Sequence, residues 1–202
     1  MKGRTKVTKA KPVTKHEAAV RFAVTQLGVR EQPAGSNTGL EVRKYQKDGS
    51  WLPGTGWPWC AAFFNYAVQV GGFQGLDRTA GAWDALTRAE KKGWGLAPKD
   101  WAKVIPGDGV VFNTGSGHIA VLEKPVGDDG VVYTIDGNAS DMVKRCQRPL
   151  SSVRGFVAWP ENGTQVASKR GRLVQVVGGE SGNRKLVVGP LKVKLSSMDK
   201  VT

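Results

Sequence analysis

Residues 106–138 read PGDGVVFNTGSGHIAVLEKPVGDDGVVYTIDGN, three short apolar runs at 109–112, 118–123 and 131–136 parted by turn-forming residues. Val, Ile, Phe and Tyr fill the runs while Gly, Asn, Ser, Asp and Pro fill the gaps, which is the composition of strands joined by tight turns. Two further runs, 143–148 and 155–159, continue the pattern. Upstream the period changes. In residues 15–27, Ala18, Ala19, Phe22, Ala23, Gln26 and Leu27 fall at three-and-four spacing, with Thr14 as N-cap, Glu17 in the first turn and Gly28 as the stop, and this predicts a helix. Residues 60–70, stopped by Gly71 and Gly72, predict another, as do residues 82–91, and residues 40–46 a short one. Helices first and strands afterwards predict an α+β domain in which N-terminal helices pack on an antiparallel sheet.

A chain of 202 residues has room for one sizeable core and some additional segments. Residues 1–14 are Lys/Thr-rich without periodicity and are expected to form a basic flexible arm, residues 15–160 the folded domain, and residues 161–202 a linker (161–172) followed by a small β-type extension with a Gly-rich turn. The longest apolar stretch, 61–70, is interrupted by Asn65 and Gln69 and falls well short of the roughly 20 residues a membrane-spanning helix needs, so no membrane insertion is expected. The basic N-terminus is followed by no apolar signal region, and the protein is expected to be made in the cytoplasm without a secretory signal.

The net charge is +13, from 30 Lys/Arg against 17 Asp/Glu, and six of those cations stand in residues 1–15. Such a surface attracts polyanions over a Debye length of about 8 Å at physiological salt, and a nucleic acid or an anionic cell wall fits it equally. No nucleic-acid reader motif occurs, so no specific nucleic acid is expected as a partner. Two cysteines are too few for a disulfide-stapled scaffold. With neither CxxC nor HExxH present and only two histidines, neither a catalytic metal nor another cofactor is expected.

Chemistry is carried by Cys60, which follows Pro58 and opens a helix. A sulfur there faces unpaired backbone N–H groups at the positive end of the helix dipole, which stabilise a thiolate and, beside it, a tetrahedral oxyanion. The competing reading of WCAAFF is a plain core helix with a buried cysteine. His118 begins a strand after the turn 113–117, and we take it as the one histidine inside the folded region. Asp136 and Asn138 stand two residues apart, on one face of an extended segment, where an acceptor can fix the tautomer of an imidazole; a plain Asp-Gly-Asn turn is the alternative. Trp57 and Trp59 are candidate walls of a substrate cleft, with core packing as the alternative, and the loop 33–39 adds Asn37 as a candidate substrate contact. Cys146, among basic residues in a β-type run, reads as structural.

The order of Pro58-Trp-Cys-Ala-Ala-Phe at a helix start, then PGDGVVF (106–112), GHIAVL (117–122) and Ile135-Asp-Gly-Asn138, resembles the CHAP family of cysteine amidohydrolases and peptidases over roughly residues 31–160. The resemblance implies a papain-like α+β fold and hydrolysis of peptidoglycan amide bonds, with the nucleophile on Cys60, the base on His118, the third polar position on Asp136 and an auxiliary amide on Asn138. The family often carries Glu at the third position, so the shorter Asp136 leaves open which of Asp136 and Asn138 meets the imidazole. The Asp-rich calcium loop of some members is missing from the sequence. Many members are phage endolysins or virion-associated lysins, which implies action at the bacterial cell wall and, for a virion component, phage tail proteins as partners. Two other readings stay open: a wall-binding or structural tail protein without catalysis, and a nucleic-acid binder resting on charge alone.

Overall fold

The computed structural model describes residues 12–161, 166–169 and 172–175. Of the basic arm only its last three residues fall within that range, and the extension beyond residue 175 lies outside it. Four helices come first: α1 (Lys15–Thr25), α2 (Leu40–Gly49), α3 (Cys60–Val70) and α4 (Ala82–Lys91). Six strands follow, β1 (Gly95–Leu96), β2 (Gly109–Phe112), β3 (His118–Leu122), β4 (Val131–Asp136), β5 (Lys144–Pro149) and β6 (Val153–Val157). They form one antiparallel sheet in the order β1-β6-β2-β3-β4-β5. This is the α+β architecture expected from the order of helical and β-type runs.

Local chemistry accounts for the boundaries. Thr14 and Glu17 exchange side-chain and backbone hydrogen bonds at the start of α1, a capping box that satisfies two orphan N–H groups. Helix α2 runs three residues beyond its expected end because Gly49 is packed into the backbone of Ala62, and tertiary contact there overrides a weak local signal. Strand β1 and the 3-10 turn Pro98–Lys103 were not foreseen; a two-residue strand leaves no period to read. A separate hairpin, β7 (Val166–Lys169) with β8 (Arg172–Gln175), begins inside the stretch expected to be linker.

Strand alternation sorts the core into two layers. Val111, Ile119, Val121, Ile135 and Val157 face the helices and join Phe63, Phe64, Ala67 and Val68 of α3. Val110, Phe112, Ala120, Leu122, Val132 and Phe156 face the other way and are covered by Val104, Trp101 and Leu150. Helix α3 is therefore the central helix, buried along most of its length, and each of its phenylalanines contributes about 1.5–3 kcal/mol by burial.

His16, set aside in the sequence, is a correction: it is only 3% exposed and lies inside the fold. Its ring stacks on Trp159 at 3.6 Å, and its two ring nitrogens share hydrogen bonds with Glu161 (Nδ1, 2.8 Å) and Asp108 (Nε2, 3.2 Å). Burial opposes charge on both members of the inner pair and pushes the Asp108 carboxyl up. Hydrogen bonds to Asp108 and Glu161 and their charge outweigh burial at His16 and raise its pKa from the ordinary imidazole value. The cluster ties α1 to the turn before β2 and to the end of the domain. His16→Ala is expected to lower unfolding free energy by about 3 kcal/mol, because Asp108 stays buried without its partner. Equilibrium denaturation of the two proteins checks this, and a loss under 1 kcal/mol contradicts it.

Candidate active site

Cys60 is the first residue of α3, with Trp59 as its N-cap. The first helical bond runs from the Phe63 N–H to the Trp59 carbonyl. Among the described residues, no carbonyl accepts from the N–H groups of Cys60, Ala61 or Ala62. Those donors and the positive end of the helix lie at Cys60, a residue that is 7% exposed and so set deep but not sealed.

His118 opens β3 and Asp136 closes β4, and antiparallel pairing brings both to one end of the sheet. That end touches the first turn of α3: a Cβ on Gly137 would collide with the Phe63 side chain, so glycine allows the strand to approach the helix that carries Cys60. His118 Nε2 donates to Asp136 Oδ2 at 2.7 Å, which leaves Nδ1 as the ring nitrogen outside that bond. The Asp136 side chain is fully buried, and the His118 side chain is 14% exposed. Burial disfavours the imidazolium, but the hydrogen bond to Asp136, the neighbouring Cys60 and the Asp136 charge outweigh it, and the His118 pKa is pushed up to about 9. Burial likewise opposes charge on Asp136, yet His118 and Arg148 hold its carboxyl below the ordinary range.

Arg148, Thr134 and Glu31 were missed in the sequence. Arg148 donates to Asp136 Oδ2 at 2.7 Å from β5 and lies over the Phe112 ring at 4.5 Å. Thr134, two residues before Asp136 on the same face, donates to Asp136 Oδ1. The β4–β5 register sets Arg148 opposite Val132 and Cys146 opposite Thr134. Cys146 is half-buried on that face, where burial and the Asp136 carboxylate push its thiol up. Knowing the register would have exposed Arg148; the sequence shows only a charge in a basic run.

Asn138 does not reach the imidazole. Its turn is left-handed (φ 59°), and its amide fits with the oxygen on the Trp59 N–H (3.1 Å) and the nitrogen on Glu31 Oε1 (3.3 Å). Glu31, buried behind the site, also accepts from Trp59 Nε1 (2.9 Å) and the Asn37 N–H (2.8 Å). The side-chain amides of Asn37 and Asn138 meet at 3.1 Å. Asn37 and Asn138 thus belong to a polar frame that fixes the residue before Cys60. Trp59, expected as a cleft wall, is fully buried against Tyr45 and Phe63 and cannot touch a substrate. Trp57 is half-buried against the same core. The exposed aromatic beside the site is Trp83 of α4, whose indole lies against Gly117, the residue before His118, under the Arg154 guanidinium (4.8 Å).

The charge arrangement is testable directly. Followed by NMR, the His118 ring is expected to titrate near pH 9 in the native chain, lower in Asp136→Asn and higher in Arg148→Met. The first variant removes an anion from the imidazolium and the second removes a competing cation. An unchanged titration in both contradicts the assignment.

Residues 52–138 match the family model of the CHAP domain. The match takes in Cys60, His118, Asp136 and Asn138 and leaves Glu31 and Arg148 outside. No curated protein and no solved structure is matched by the chain. The family match and the α+β fold, with its antiparallel sheet set against the cysteine-bearing helix, agree with each other: residues 52–138, which hold Cys60, His118 and Asp136, are similar to the CHAP domain.

Proposed function

We propose that the chain is a thiol-dependent peptidoglycan hydrolase in which Cys60 is the nucleophile, His118 the proton carrier and Asp136 the residue that orients it, cutting an amide of the stem peptide or cross-bridge. The reading is supported above all by an imidazole bonded to a buried carboxylate and neighbouring the cysteine that opens a helix. His118 takes the Cys60 proton, and the sulfur attacks the scissile carbonyl carbon. The oxyanion that forms meets the free N–H groups of the first turn of α3. As the C–N bond breaks, the imidazolium gives its proton to the leaving amine and an acyl-thioester remains. Neutral His118 then draws a proton from water, the hydroxide adds to the thioester, and the C–S bond breaks to release the carboxylic acid, which loses its proton to solvent, and to restore the ion pair.

Arg148 and Thr134 act through Asp136, and Glu31, Asn37 and Asn138 act through the backbone that presents Cys60. Trp83 is the aromatic placed to border a bound peptide near His118. As delivery route we propose a bacteriophage lysin, released as an endolysin or carried on the virion tail, acting at the cell wall.

Purified walls incubated with the chain should yield new amine and carboxyl termini by mass spectrometry, and Cys60→Ala should reduce their release by at least about a thousandfold. Full release by Cys60→Ala would rule the mechanism out, and wall binding without any release would point to a non-catalytic role. The pH profile has a sign. His118 must be protonated to expel the amine, and its pKa is raised, so activity should persist through neutral pH and fall as pH rises through about 9, the apparent value belonging to the Cys60–His118 pair. A profile that declines at pH 6–7 would contradict it.

A further inference from the structure

A cleft of about 500 Å³ lies between the end of α2 and the loop that leads into α3. Arg43, Lys47 and Arg78 line it together with Trp51 and Leu52, and no carboxylate does. Arg43 and Lys47 are four residues apart on one helix and so share a face, where like charges repel. Several other surface cations have a carboxylate beside them: Lys44 has Glu41, Arg88 has Asp84, Lys92 has Asp77 and Arg145 has Glu123. Among the described residues, none of the three cleft cations lies in an ion pair. Trp51 is 61% exposed, the most exposed large aromatic in the described fold, and offers an uncovered ring beside them.

The cleft is built, not incidental to a floppy loop. Asn65 Nδ2 donates to the Gly49 carbonyl (2.9 Å), the Leu52 N–H donates to Ser50 Oγ (3.0 Å), and Gln46 Nε2 donates to both the Trp57 and Asn37 carbonyls (2.8 and 2.9 Å). Arg43 is steadied by its Nε–H bond to Thr38 (3.0 Å), with its terminal nitrogens outside that bond. Ordering the cations beforehand spares that entropy on binding. Gly49 rests on Ala62, so this end of α2 and Cys60 flank the same first turn of α3.

We propose that this cleft is a subsite for an anionic wall glycopolymer, whose closely spaced phosphodiester or carboxylate oxygens meet Arg43, Lys47 and Arg78 while a sugar face packs on Trp51. The inference rests on the hydrolase reading and deepens it: a strand held here is presented beside the nucleophile. Guanidinium and ammonium groups recognise both oxyanions, and a sugar face suits an exposed indole. Because the contacts are exposed, binding weakens as salt rises.

The test compares full-length chains, each carrying Cys60→Ala, for sedimentation with purified cell walls. One adds Arg43→Gln, Lys47→Gln and Arg78→Gln; a charge-matched control adds Arg21→Gln, Lys91→Gln and Lys99→Gln; a third adds Trp51→Ala. The cleft triple variant should bind about tenfold more weakly and the control less than about threefold, since only the first removes converging charges. Trp51→Ala should also weaken binding, and that loss should survive high salt. Equal losses in the two triple variants, at unchanged thermal midpoints, would overturn the proposal. Walls stripped of phosphodiester polymer tell the sources apart: a cleft effect that persists assigns peptidoglycan carboxylates, and one that vanishes assigns the phosphodiesters. With Cys60 restored, release of new termini is scored separately, so failure of the hydrolase reading and failure of the subsite give different results.

Discussion

A carboxylate with no solvent exposure holds this site together. Taking an ion such as Asp136 out of water costs several kcal/mol even after relaxation, and the cost is offset only where every lone pair finds a donor. Here His118 and Arg148 both reach Oδ2 and Thr134 reaches Oδ1, so three strands are committed to one anion. The commitment sets the site's charge. With Arg148 fixed on the far side, Asp136 stays ionised, and an ionised Asp136 keeps the imidazole protonated to about pH 9. The anion thus does two jobs with one set of bonds: it pins the ring and keeps a proton available on it.

The second constraint is steric. The sulfur sits on the most buried helix of the domain, so the core-helix reading and the nucleophile reading of WCAAFF are compatible: burial of Phe63 and Phe64 fixes the helix, and its first turn comes to the sheet end. A residue with a side chain at position 137 would force β4 off Phe63 and carry Asp136 and His118 with it. Asp-Gly-Asn is therefore a turn and also a fitting, the glycine for closeness and Asn138 for the left-handed corner that sends its amide to the Trp59 N–H.

What could be read in the sequence were features written within a few neighbouring residues. The capped α1, the glycine stop after α3, the strand runs and the positions of Cys60 and His118 at element starts all have local signatures. Features fixed by pairing across the chain were illegible. Arg148 is one basic residue among several until β4 and β5 are put in register, and Glu31 meets Trp59 and Asn138 only after folding. Trp57 and Trp59 show the same limit from the other side. Aromatics flanking a nucleophile give no sign of facing in or out, and Trp59 turned inward because its indole N–H finds the buried Glu31 carboxylate. Trp83, 23 positions from Cys60 in sequence, took the place beside His118 because α4 crosses Gly117, a position where any side chain would strike the indole.

Electrostatic labour is divided accordingly. At the sheet end the cations are consumed: Arg148 and the imidazolium face one buried anion, and the pair they leave for chemistry is local and shielded. At the mouth of the α2 cleft the cations are exposed and unpartnered among the described residues, a long-range field for a polymer that arrives already charged. A +13 chain whose whole surface were uniformly basic would hold a polyanion anywhere and release it slowly. The α2 cleft instead gathers three cations with no carboxylate in its lining on the flank of the helix that carries the nucleophile, so that capture and cleavage share one piece of backbone.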